Sequence, residues 1–154
     1  MDSNIELASP KVNITRFWRK IILNLSTSVW CPSSLRYKIV RMGGVNIEGP
    51  CFIGAHVTFD TIRPDLISIG KGSVITVGTC IFSHHLKNEE MIYGEVKIGR
   101  GSFIGAYSII AQPVTVGDRA VIGAGSIVIR DIPSMEVWAG NPAHFIRKKQ
   151  ISHQ

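Results

Sequence analysis

Aliphatic residues recur at every sixth position through the second half of the chain: Ile98, Ile104, Ile110, Val116, Ile122 and Val128. Gly99, Gly105, Gly117 and Gly123 each directly follow one of them, and Ser102, Ser108, Val114, Ala120 and Ser126 stand four places after one. A period of six fits neither a helix nor an alternating strand. It fits a chain wound in rungs, where each unit turns one large and one small residue inward. Every aliphatic then rests on that of the rung below, because no single unit can bury its own. The glycine is expected where the backbone bends between faces. The same register holds upstream, in Ile47, Ile53 and Phe59 and again in Ile69, Ile75 and Ile81, with Cys51, Val57, Ser73 and Thr79 at the small positions. Twelve units result, in blocks of three, three and six, interrupted at 61–66 and 84–95. The expected fold is an all-β solenoid over 45–133 with a loop at 82–95. A helical cap region precedes it (1–44), and a turn with a basic tail follows (134–154).

Within 14–25, Phe17, Ile21, Ile22 and Leu25 share one helical face flanked by Arg16, Arg19 and Lys20. A second helix is expected over 34–42, with Leu35, Ile39 and Met42 apolar. Two readings stand for these helices. They cap the open end of the solenoid, or Trp18 and the basic residues make a peripheral membrane contact.

Composition narrows the picture. The chain has 154 residues, enough for one domain, and 45 % are hydrophobic. No apolar stretch reaches the ~20 residues of a membrane span. Residues 1–11 lack the basic start and apolar core of a secretion signal, and Cys31, Cys51 and Cys80 have no metal-like spacing. The expectation is a cytoplasmic protein without a metal, extending to the inner face of the membrane if the helix docks there. The net charge of +6 gathers at the two ends, in Arg16, Arg19, Lys20, Arg36, Lys38 and Arg41 and in Arg147, Lys148 and Lys149. The repeat carries no basic stripe with interleaved aromatics, so nucleic acid is not an expected partner. A phosphorylated small ligand needs only a few such charges.

Three segments carry a resemblance: IGRGSFIGA (98–106), VIGAGSIV (121–128) and WAGNPAHFIR (138–147). Together they resemble the hexapeptide-repeat acyltransferases, nearest to the maltose and galactoside O-acetyltransferases and to the O-acetyltransferases of capsule or exopolysaccharide clusters. The resemblance implies a left-handed parallel β-helix, a homotrimer with active sites between subunits, acetyl-CoA as co-substrate, and direct attack without an acyl-enzyme. It matches Ala106 and Ala124 to positions whose backbone meets the acetyl-CoA arm, and Ile129 and Arg130 to another cofactor-contacting pair. Arg147 matches a residue that meets the cofactor phosphates, and His144 stands where relatives often carry Lys or Arg.

Acyl transfer from a thioester to a hydroxyl needs a base for the alcohol proton, stabilisation of the oxyanion, and both substrates held in line. A neutral imidazole suits the first task. Of five histidines, His84 and His85 open the longest interruption of the repeat, where function concentrates. By resemblance the register of Ile-Phe-Ser-His favours His84, with His85 as the alternative. Glu89 and Glu90 are candidates to orient the base. Asp60, at the first interruption, is a candidate for contact with the acceptor or for orienting the base, or starts a turn before Pro64. The expected function is O-acetylation of a sugar or polysaccharide precursor. The alternative acceptor is an antibiotic or an amino acid such as serine. A zinc hydratase would need three converging histidines; His84 and His85 point to opposite sides of an extended chain, and only His56 is left to join them.

Overall fold

The computed structural model describes residues 14–26, 28 and 31–150. Two helices, α1 (Ile14–Ser26) and α2 (Ser33–Met42), precede the strands. The strands are β1 (Asn46–Ile47), β2 (Phe52–Ile53), β3 (Thr58–Phe59), β4 (Ile67–Ile69), β5 (Val74–Ile75), β6 (Cys80–Ile81), β7 (His84–Lys87) and β8 (Glu90–Tyr93). They continue as β9 (Val96–Ile98), β10 (Phe103–Ile104), β11 (Ile109–Ile110), β12 (Thr115–Val116), β13 (Val121–Ile122), β14 (Ile127–Val128), β15 (Glu136–Ala139) and β16 (His144–Lys148).

The chain visits three parallel sheets in rotation. The first holds β1, β4, β9 and β12, the second β2, β5, β10, β13 and β15, and the third β3, β6, β11 and β14. Pairing puts Ile47, Ile69, Ile98 and Val116 in one ladder. Ile53, Ile75, Ile104 and Ile122 form the second, and Phe59, Ile81, Ile110 and Val128 the third. All twelve are buried, and each stabilises the fold by roughly 1.5–3 kcal/mol through burial. Ser102 and Ser108 are buried among them and donate to the carbonyls of Gly117 (2.8 Å) and Gly123 (2.9 Å), as hydroxyls withdrawn from water must.

The repeat glycines have a different reason from the expected bend. Gly54 is not left-handed; a Cβ there would fall 2.6 Å from the Val77 backbone nitrogen of the next rung. The left-handed residue comes three places after the aliphatic, where His56, Tyr107 and Arg119 bear it without being glycine. Close stacking, not dihedral freedom, therefore selects Gly54.

Both interruptions are ordered. The first contains a 3-10 turn, Pro64–Leu66. The second, expected as a loop, is an antiparallel hairpin of β7 and β8. Part of the expected tail is also sheet. Val137 and Trp138 of β15 stack in parallel on Val121 and Ile122, and β16 returns antiparallel.

At the other end, Arg36 is no free surface cation. It is buried, and its guanidinium donates to the carbonyls of Ile53 (2.8 Å), Ser28 (3.0 Å) and Cys31 (2.6 Å). The inward residue of α1 is Leu23, packed against Gly43. Phe17 and Leu25, grouped by the sequence pattern as the apolar face, are exposed.

Candidate active site

Strands β3 and β6 are neighbours in the third sheet, and both interruptions leave from the corner that follows them. Phe59 pairs with Ile81, so Asp60 emerges beside Phe82, and its amide donates to the Ile81 carbonyl at 2.9 Å. Residues 24 apart in sequence thereby meet: Asp60 Oδ2 lies 2.5 Å from His84 Nδ1.

Asp60 is a hub. Oδ2 also accepts from the Ser83 hydroxyl (2.6 Å) and the Ser83 amide (3.1 Å), while Oδ1 accepts from the Ile62 amide (2.8 Å). Burial alone would raise its carboxyl. The bonds from the Ser83 hydroxyl, His84 and the amides of Ile62 and Ser83 outweigh that and hold it below the usual carboxylate value. An ionised carboxylate only accepts, so Nδ1 of His84 carries the proton and Nε2 is left as the basic nitrogen. The Asp60 side chain is 1 % exposed and that of His84 23 %. Asp60 thus has no free surface to offer an acceptor. What the geometry shows of Asp60 is its contact with His84 and a turn closed through the Ile62 amide.

His85 sits one place along β7, paired with Ile92, and its Nδ1 is buried without a hydrogen-bond partner. Glu89 and Glu90 are at the far tip of the hairpin, where Glu90 pairs with Lys87, whereas His84 pairs with Tyr93 at its base. They are not the orienting carboxylates. The rings of Phe82 and Tyr93 flank His84 with centroids 6.0 and 5.9 Å away.

The remaining candidates fall elsewhere. Ala106 and Ala124 follow β10 and β13 on adjacent rungs, joined by the Gly125 amide donating to the Ala106 carbonyl at 2.8 Å. They mark the corner between the second and third sheets, as does the exposed His56. Ile129 and Arg130 follow β14 and are exposed. They occupy the same corner as His84, two rungs along, since β6, β11 and β14 are successive neighbours. His144 and Arg147 are exposed on β16. The third sheet therefore separates Ala106 and Ala124 on one edge from His84, Ile129 and Arg130 on the other. A groove of about 890 Å³ lies over the first sheet. Within it Arg100 Nε donates to Glu48 at 2.8 Å and the Arg100 amide to Asp118 at 2.7 Å, and none of the candidates lines it. Among the described residues no group of three His, Cys, Asp or Glu side chains is arranged to hold a metal.

Residues 95–130 match the bacterial transferase hexapeptide family, six repeats. Over these repeats the chain is similar to the hexapeptide-repeat transferases. It is 48 % identical over 85 residues to the galactoside O-acetyltransferase of Escherichia coli, an alignment covering 54 % of this chain and 42 % of that protein. The hexapeptide chain spans about half or less of the length of the curated relatives it matches. Its fold is similar to that of a maltose O-acetyltransferase from Clostridium difficile (TM-score 0.67, 25 % identity, 89 % of this chain and 87 % of that one). It is also similar to a hexapeptide-repeat acetyltransferase of Vibrio cholerae solved with acetyl coenzyme A (TM-score 0.77, 23 % identity, 93 % and 91 %).

Sequence reasoning underrated Ser83, the buried hydroxyl that fixes Asp60, and passed over Phe82 and Tyr93 as neighbours of His84. The available signal was register: Asp60 and Phe82 each directly follow the last aliphatic of a block.

Proposed function

We propose that this hexapeptide-repeat chain is an acetyl-CoA-dependent O-acetyltransferase acting on a sugar hydroxyl, with His84 as general base. The observation that carries the reading is the 2.5 Å contact of Asp60 Oδ2 with His84 Nδ1, which leaves Nε2 free to take a proton. In the proposed step the acceptor hydroxyl gives its proton to Nε2 as its oxygen attacks the thioester carbonyl. The oxyanion collapses, the C–S bond breaks, and the imidazolium protonates the departing CoA thiolate. Asp60 is a positioning residue; it holds the tautomer and stabilises the imidazolium.

The three sheets visited in rotation support a parallel β-helix, and the likeness to the hexapeptide-repeat transferases supports its left hand. Two observations support a homotrimer. The candidate acetyl-CoA contacts Ala106 and Ala124 are separated from His84 by a whole sheet, so a neighbouring copy is needed to bring such edges together. The second sheet also turns an apolar ladder outward, Phe52, Val74, Phe103 and Val121 in register, with Phe103 40 % exposed. On this reading Arg130, His144 and Arg147 meet the cofactor phosphates, and the enzyme works in the cytoplasm, where acetyl-CoA is available.

The test is a screen of sugar, glycan-precursor, serine and antibiotic acceptors with acetyl-CoA, following free CoA thiol and product mass. Acetylation of a sugar hydroxyl is expected. Transfer confined to serine or an antibiotic would replace the sugar reading, and no acceptor-dependent CoA release would end it.

A further inference from the structure

Helix α1 is mounted with its apolar stripe facing away from the body. At about 100° per residue, Phe17, Trp18, Ile21, Ile22 and Leu25 share one side, and Leu23 falls on the other. Leu23 is 2 % exposed, whereas Phe17, Trp18 and Leu25 are 51, 57 and 64 % exposed. The inward side is fixed by Leu23 against Gly43 and by Arg19, whose Nε lies over Gly44. A surface helix of a self-contained domain points its stripe at the core; this one does the reverse. Phe17, Trp18 and Leu25 on the outside, with Ile21 and Ile22 half-buried between them, mark a surface that meets something.

Charge selects the occupant. From Leu7 to Ile47 the chain has seven Lys and Arg and no Asp or Glu. Arg19, Lys20, Lys38 and Arg41 of this stretch are exposed, whereas Arg36 is spent on buried carbonyls. A second copy presenting the same face would set cation against cation. An anionic lipid surface supplies both complements, acyl chain for the stripe and headgroup charge for the rim. With 13 residues, α1 is about 20 Å long, too short to cross the ~30 Å hydrocarbon core. No helix among the described residues is long and apolar enough to cross a membrane. The fit is therefore to lying in the interface, with Trp18 at headgroup depth.

We propose that α1 docks this protein on an anionic membrane surface through Phe17, Trp18 and Leu25, with Lys20 and its basic neighbours against the headgroups. The site is distinct from the His84 corner, and its test does not depend on catalysis. The full chain is sedimented with vesicles of phosphatidylcholine and phosphatidylglycerol, and with phosphatidylcholine alone, at low and high salt. Its mass without lipid is measured by light scattering. The expected result is binding to the anionic vesicles that weakens at least about tenfold on neutral ones and falls with salt. The F17S/W18S double variant should lose at least about tenfold in vesicle binding, and K20E should weaken it less. Both should keep the wild-type mass and the wild-type turnover of a soluble acceptor. Equal binding to the two vesicle types, or binding to neither, would overturn the proposal. So would a lower subunit count for F17S/W18S in the absence of lipid, which would make the stripe a contact between copies.

Discussion

The first and second sheets are built from the same six-residue unit, yet only their inward ladders agree. Inward, Ile47, Ile69, Ile98 and Val116 are interchangeable in kind with Ile53, Ile75, Ile104 and Ile122. Outward, the first sheet presents Asn46, Ser68, Lys97 and Thr115, and the second Phe52, Val74, Phe103 and Val121. The inward positions answer to stacking, which is the same on every rung. The outward positions are free of that constraint, so one sheet keeps a polar face and another an apolar one. The corner of the third sheet extends the contrast, since Asp60, Ser83 and His84 begin where the aliphatic register stops. Inward changes should therefore act on stability and leave chemistry intact, and changes at the corner should act first on chemistry.

The largest expected effect is at the corner. His84→Ala should lower kcat by about 10²- to 10⁴-fold with an unchanged melting temperature and unchanged binding of acetyl-CoA by calorimetry. His85→Ala should keep most of the activity. If the two variants exchange behaviour, the base is His85 and the Asp60 contact is structural only.

On the inward side, Ile104→Ala should destabilise the protein by about 2–5 kcal/mol in denaturant unfolding, since a fully buried side chain leaves a cavity between rungs. Its kcat per folded molecule should match the wild type. Gly54→Ala should cost less, about 1–3 kcal/mol, by forcing its own rung away from Val77. A stabilising Gly54→Ala would return the glycine to the dihedral explanation.

The inward half of this comparison could be read from the sequence. Strict six-step spacing located the twelve laddered apolar residues and both interruptions, because stacking imposes the same demand on each rung, but it passed over the buried Ile67, Val96 and Ile132. The helices came from a separate helical pattern. What the spacing could not yield were features decided by tertiary placement. Phe17 and Leu25 read as part of one apolar face that either caps the repeat or meets a membrane, but the side of α1 that packs is set by Leu23 and Arg19 against Gly43 and Gly44. Arg36 was counted with the basic residues before the repeat, but the carbonyls of Ser28 and Cys31 between the helices and of Ile53 in the repeat draw its guanidinium inside. Glu89 and Glu90 were near His84 along the chain, but the hairpin carries them to its tip, and register delivers Asp60 from 24 residues away.

The smallest expected effect is confined to acid. Asp60 has a lowered carboxyl in the folded state, so the native state favours its ionised form more than the unfolded chain does. The stabilisation is complete above the unfolded value, about 3.9, and is lost as pH falls through the lower folded value. Asp60→Asn cannot ionise and lacks this term at every pH. The gap in unfolding stability between wild type and Asp60→Asn should therefore narrow as pH falls below about 4. A gap that holds its size through the acid range would mean that the Ser83 and Ile62 bonds, rather than the carboxylate charge, are what the corner depends on. His84 would then lack the anionic partner that fixes its proton on Nδ1.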